Sequence, residues 1–539
     1  MRRHSFAFGP SLAFIFTVSI IFSACSFGSS SKETAQSYNS NASAPFPQAS
    51  PMGAANTSVA GGMLDDGTNG ERYAEIEENP FLETARAPLS TFSIDVDTAS
   101  YANVRRYLND GQLPPKDAVR IEELVNYFEY DYPQPAGDLP FSVNTEVAAA
   151  PWNPRHKIVQ IGLQGKKVSM DNLPPSNLVF LIDVSGSMNS PDKLPLLKDS
   201  MRILVNQLTA RDRVAVVVYA GASGLVLPST SVGNKGEILN ALNSLNSGGS
   251  TNGGAGIRLA YQVAADNFIQ GGNNRVVLAT DGDFNVGLSS DDELVGLIEQ
   301  KRKSGVFLSV LGFGTGNLND SMMEKLADKG NGNYSYIDTE EEARKALGSE
   351  VAGTLFTIAR DVKIQVEFNP AKVAGYRLIG YENRLLADRD FEDDRKDAGE
   401  IGAGHSVTAL YEVVPAGQKV DNDGIELKYS KYEKGDTNFS NEMMTVKLRY
   451  KEPDGDQSRL MSMGVPDRDV RVENASENLR FASAVAQFGM LLRDSRYKGS
   501  ASFGSVESLA GGAFGSDLKN YRTEFLALVE RAKNLKGKG

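Results

Sequence analysis

One aspartate and two serines alternate at Asp183, Ser185 and Ser187, directly after the apolar run Val179-Phe180-Leu181-Ile182. Such a run reads as a buried strand. Val184-Ser185-Gly186-Ser187-Met188 then reads as the loop at its carboxyl end, where open α/β sheets bind ligands. Along an extended turn the three oxygens can point to one side, and one carboxylate with two hydroxyls suits a small hard cation.

Two further loops carry oxygen ligands. Ser247-Gly248-Gly249-Ser250-Thr251-Asn252-Gly253-Gly254 places Thr251 in a glycine-rich turn before a helix, and Ala279-Thr280-Asp281-Gly282 ends an apolar strand with Asp281. The glycine-rich turn could cradle a phosphate, but no lysine follows it in the P-loop pattern. A serine hydrolase finds little support, because Ser185 lacks a G-x-S-x-G setting and neither His156 nor His405 can be tied to it by sequence.

The elements that must position these loops alternate between strand and helix. Strands are expected at Leu178–Asp183, Arg213–Tyr219, Arg275–Thr280, Val306–Gly312 and Tyr334–Ile337, with helices at Lys193–Leu208, Gly236–Leu245, Gly254–Asn267, Asp292–Arg302, Asp320–Asp328 and Glu341–Ala359. Near-continuous apolar strands require a sheet covered on both faces, so residues 176–360 read as a doubly wound, mostly parallel, Rossmann-like α/β domain. On either side the pattern alternates with period two, in 141–175 and again in 361–470. The simplest reading is one β-sandwich with the α/β domain inserted in it. Flanking helical regions are expected at 76–140 and 471–539.

Asp183-x-Ser185-x-Ser187, then Thr251, then Thr280-Asp281-Gly282 resembles the metal-ion-dependent adhesion site of von Willebrand factor type A domains. The resemblance implies that Ser185, Ser187 and Thr251 ligate Mg2+ or Mn2+, with Asp183 and Asp281 holding it largely through water. It also implies an open position that an acidic residue of a protein partner could fill. The phrases Pro80-Phe81-Leu82, Ser93-Ile94-Asp95-Val96-Asp97-Thr98-Ala99-Ser100-Tyr101 and Thr280-Asp281-Gly282-Asp283-Phe284-Asn285-Val286-Gly287 are similar to a family of bacterial lipoproteins that carry this domain between an N-terminal region and a C-terminal domain of unknown function. The expected role is non-enzymatic adhesion or scaffolding. The alternatives are an accessory subunit of an envelope ATPase or protease assembly and, further off, a hydrolase. Type A domains can switch between affinity states through movement of their last helix, and Glu341–Ala359 is the candidate for that element here.

The chain has 539 residues, enough for two to four domains, and a formal net charge of -12, which argues against nucleic acid as the main partner. Its one cysteine, Cys25, ends a leader with a basic start and a short apolar core. Phe22-Ser23-Ala24-Cys25 resembles the bacterial lipobox, with Phe22 where leucine is commonest. That resemblance implies cleavage before Cys25, its lipid modification (palmitate included) and, since Ser26 follows, sorting to the outer membrane of a diderm cell. The segment 26–75, rich in Ser, Ala, Asn, Gly and Pro, reads as a flexible tether.

Other acidic motifs invite chemistry that their context does not support. Asp95-Val96-Asp97-Thr98 resembles the phosphotransferase DxDxT, but Thr98 comes one residue early and the following helices are separated by Pro114-Pro115. A strand whose Asp97, Thr98 or Ser100 caps the next helix is the simpler expectation. Loops starting at Asp421 and Asp454 begin like calcium loops, yet their twelfth positions fall on Tyr432 and Val465, where a bidentate glutamate is required.

Overall fold

In the computed structural model, which describes residues 70–250, 253–282, 291–420, 441–453 and 455–537, the chain opens with two short strands, β1 (Leu82–Glu83) and β2 (Leu89–Ser93). Helices α1 (Ala99–Asn109) and α2 (Ile121–Asn126) follow, and then the long hairpin β3 (Phe141–Ala150) and β4 (Asn153–Gly165). Cys25, Thr251, Asp421 and Asp454 lie outside the described residues. Among the described residues no helix is long and apolar enough to cross a membrane.

The α/β layer comes next: β5 (Ser176–Asp183), α3 (Leu194–Gln207), β6 (Arg213–Tyr219), β7 (Ser223–Ser231), α4 (Lys235–Asn243), α5 (Gly253–Asp266), β8 (Asn273–Thr280), α6 (Asp291–Arg302), β9 (Phe307–Phe313), α7 (Asp320–Lys329), β10 (Tyr334–Ile337), α8 (Glu340–Arg344) and α9 (Val351–Leu355). The sheet order is β10-β9-β8-β5-β6-β7, all parallel except the antiparallel edge strand β7. Every residue of β5 is buried, because successive side chains serve opposite faces. Leu178, Phe180 and Ile182 pack with Leu197, Met201 and Leu204 of α3. Val179 and Leu181 pack with Ile257 and Tyr261 of α5. The mixed α/β fold is therefore doubly wound, as the apolar strand pattern requires.

The remaining strands are β11 (Thr357–Phe368), β12 (Val373–Ile379), β13 (Gly399–Gly402), β14 (Ser406–Pro415), β15 (Glu442–Lys451) and β16 (Ser458–Pro466). One sheet runs β1-β12-β14-β4-β3; the other runs β13-β11-β15-β16, with β2 also paired to β11. Phe141, Val159 and Ile161 from the first share a core with Ile364, Val366 and Val446 from the second. Strands that precede the α/β layer thus pair with strands that follow it. The chain ends in helices α10 (Glu477–Arg493), α11 (Phe503–Gly511) and α12 (Tyr521–Lys536). Phe481, Phe488 and Phe525 of these helices pack with Tyr101, Leu124 and Phe128 of α1 and its neighbours.

Several elements differ from the sequence expectation. The stretch 76–140, expected to be helical, also supplies β1 and β2 to the two sheets. The helix expected over Glu341–Ala359 ends at Leu355, with a π turn at Lys345–Ser349. It stops there because the β-branched pair Thr357-Ile358 favours a strand and Thr357 and Ala359 pair with Gly402 and Ile401. The tether expected through residue 75 is already docked at Glu71, which is 7% exposed and accepts from Arg106 and Tyr107. Thr98 is the N-cap residue of α1 but makes no side-chain cap bond. Asp97 instead accepts the Tyr334 N–H, and Ser100 donates to the Ala118 carbonyl.

Candidate metal centre

Asp183 ends β5 and Asp281 follows β8, its parallel neighbour, in which Ile182 lies opposite Ala279. Chain that leaves β5 goes to β6 on one side and later returns to β8 on the other, so these two carboxyl ends flank a topological switch point. Asp183 Oδ1 accepts the Ser185 N–H at 2.8 Å, which fixes the start of the loop, and Oδ2 accepts from Thr280 Oγ1 at 3.3 Å. The Gly248 N–H bonds the Val184 carbonyl, and the Gly186 N–H bonds the Gly249 carbonyl. These bonds fasten the glycine-rich turn to the serine loop two residues before Thr251, which itself lies outside the described residues.

Ser185 Oγ and Ser187 Oγ stand 3.0 Å apart. Two ligands at right angles around Mg2+, each about 2.1 Å from the ion, would be about 3.0 Å apart. Asp183 and Asp281 are fully buried, Ser185 almost so, and Ser187 is exposed, so the oxygens rise from the sheet toward solvent. The structure thus brings Asp183, Ser185, Ser187 and Asp281 together, and neutral hydroxyls above buried carboxylates are a donor set that fits a hard divalent cation.

Burial pushes the Asp183 carboxyl up to about 6, with the Asp281 charge adding to the effect against hydrogen bonds from Ser185 and Tyr219. Burial would also raise Asp281, but Lys193, with Ser187 and Asn317, outweighs it and holds that carboxyl below its ordinary value. Lys193 Nζ lies 2.9 Å from Asp281 Oδ2 and 3.0 Å from Asn317 Oδ1. Sequence reasoning missed Lys193 and Asn317. One signal existed: Lys193 is the N-cap residue of α3, where the positive end of the helix disfavours a cation.

A second group of carboxylates lies elsewhere. Asp95, Glu123 and Glu324 bring one oxygen each within 4.8 Å of one another, close enough that they could hold a divalent cation. Arginines already reach into this group: Arg384 pairs with Asp95 at 3.1 Å and Glu324 at 3.1 Å, and Arg120 pairs with Glu123. The phosphotransferase-like Asp95 and Asp97 both face Arg384, at 3.1 and 3.6 Å. Neither described histidine pairs with Ser185. His156 Nδ1 lies 2.6 Å from Glu412, and the His405 ring packs against Gly353 in α9.

Family comparisons agree with this layout. Residues 177–349 match the von Willebrand factor type A domain, 67–160 match a model described as von Willebrand factor, and 353–535 match "Uncharacterized protein YfbK, C-terminal". The chain is 47% identical to "Uncharacterized protein YfbK" of Escherichia coli strain K12 over 469 residues, 86% of this chain and 81% of that protein. It is 30% identical to "Uncharacterized protein sll0103" of Synechocystis over 36% of this chain and 45% of that one. Among solved structures, a von Willebrand factor type A protein from Catenulispora acidiphila is similar over 72% of this chain and 89% of its own, at 16% identity and a TM-score of 0.39. The chain belongs to the YfbK family of proteins that contain a von Willebrand factor type A domain.

Proposed function

We propose that this protein is a lipid-anchored component of the bacterial cell envelope that binds a protein partner through a divalent metal, Mg2+ or Mn2+. Ser185, Ser187 and Thr251 would hold the ion directly, and Asp183 and Asp281 largely through water. The observation that carries this reading is the pair of serine hydroxyls 3.0 Å apart above the buried Asp183. Because the direct ligands are neutral, the bound ion keeps positive charge toward the exposed side of Ser187. A carboxylate supplied by the partner would complete its shell. The role is one of adhesion or scaffolding, with Cys25 as the anchor and the outer membrane as its place.

The reading is tested by affinity capture from bacterial envelopes with the full chain, in Mg2+ and in chelator, beside the Asp183→Ala variant. A partner retained only by the unaltered chain in Mg2+ is the expected result. The same proteins retained under all conditions would refute it.

A further inference from the structure

We propose that Lys193 is a tethered cation that keeps the metal centre in shape without an ion and weakens its hold on a divalent one. The inference rests on the reading of the Asp183 loop as a metal site. Lys193 is 7% exposed, and its ammonium bridges Asp281 at the end of β8 and Asn317 in the loop after β9. Its stem runs across Gly314, whose φ is +72° and where any side-chain carbon would collide with the lysine Cγ. The Asn317 loop is itself fastened. The Gly316 N–H bonds Glu71 at 3.1 Å, and the Arg72 N–H bonds the Leu318 carbonyl at 2.8 Å. Lys193 is thus confined against Asp281 from several sides.

Among the described residues Asp183 and Asp281 are the carboxylates of the centre, and Lys193 neutralises the second. A divalent ion arriving at the serine hydroxyls therefore meets a weaker field than two carboxylates would give, and it also faces the ammonium behind Asp281. Removing the lysine charge has two opposed effects: the field strengthens, while Asp281 loses one of its anchors. The first should win, since Asp281 also accepts from the Ser187 hydroxyl and sits at the end of a central strand.

The test uses the full chain and two variants, Lys193→Met and Lys193→Gln, in calorimetric titration with Mg2+ alone and in thermal unfolding with chelator or Mg2+. Both variants should bind Mg2+ about tenfold tighter, the ratio that about 1.4 kcal/mol represents. Both should melt lower than the unaltered chain in chelator and regain more of that loss in Mg2+. Lys193→Gln keeps a hydrogen-bonding group and separates charge from contact; it also decides the matter should Lys193→Met fail to fold. Equal or weaker Mg2+ binding by the folded variants overturns the proposal. If the unaltered chain binds Mg2+ and Asp183→Ala does not, that failure is confined to Lys193. If no form binds Mg2+, the metal reading falls with it.

Discussion

At the carboxyl ends of β5 and β8, two buried aspartates sit among hydroxyls and one lysine. Beside α1 and α7, Asp95, Asp97, Glu123, Asp320, Glu324 and Asp328 share Arg120 and Arg384. The second region is richer in carboxylates, but guanidinium forks occupy many of their oxygens and tie three stretches of the chain together. Its surplus of acid shows in protonation. Burial, with Asp95 and Glu324 adding to it against Arg120, pushes Glu123 up to about 8, and Asp97 is raised by burial and by Asp95. The first region leaves Ser187 on the exposed side of the buried carboxylates. The contrast is between carboxylates that already face guanidinium groups and a smaller set whose outer hydroxyl is exposed, so access as well as carboxylate number separates the two regions.

The largest expected effect separates the two regions by stability. Arg384→Ala strips the counter-charge from Asp95, Glu324 and Asp328 and should lower unfolding free energy by about 3–5 kcal/mol in urea titration. A loss below about 1 kcal/mol would mean that the arginine network is not what holds these carboxylates. The pH dependence should follow from the same region. Burial raises Glu122 to about 7, with Glu382 adding to it, and Glu123 to about 8, against 4.5 ordinarily. The folded chain keeps protons there that the unfolded chain has released, so stability should fall as pH rises from about 5 to about 8. Denaturation midpoints across that range check the slope, and Glu123→Gln should flatten it.

Ser187→Ala should weaken Mg2+ binding about tenfold with little change in melting, since Ser187 is exposed; unaltered affinity would remove that hydroxyl from the ligand set. The smallest effect is expected at an exposed pair of the same chemistry. Arg344 and Glu340 on α8 are 64% and 50% exposed, and Arg344→Ala should cost less than about 0.5 kcal/mol.

The α/β core was legible because Leu178–Ile182 of β5 is an unbroken apolar run, the pattern of a strand covered on both sides. β7 escaped notice: Ser223–Ser231 contains Gly224 and Pro228, residues that weaken a strand signal and are tolerated at a sheet edge, which is where β7 lies. Of the candidate centre, Asp183, Ser185, Ser187 and Asp281 could be found from motif and strand ends, because each follows directly from a periodic element. Lys193 could not be assigned, since its partner Asp281 lies 88 residues away. Asp95 and Asp97 likewise look like a catalytic pair until Arg384, 289 residues beyond Asp95, is brought beside them.

The most direct measurement is calorimetric titration of Mg2+ into the full chain and into Asp183→Ala, with Glu123→Gln as the companion from the arginine-bound cluster. The unaltered chain and Glu123→Gln should bind with the same affinity, and Asp183→Ala should bind about 10–100-fold more weakly or not at all. Binding that survives in Asp183→Ala but is lost in Glu123→Gln would place the cation among Asp95, Glu123 and Glu324 and contradict the assignment to the serine loop.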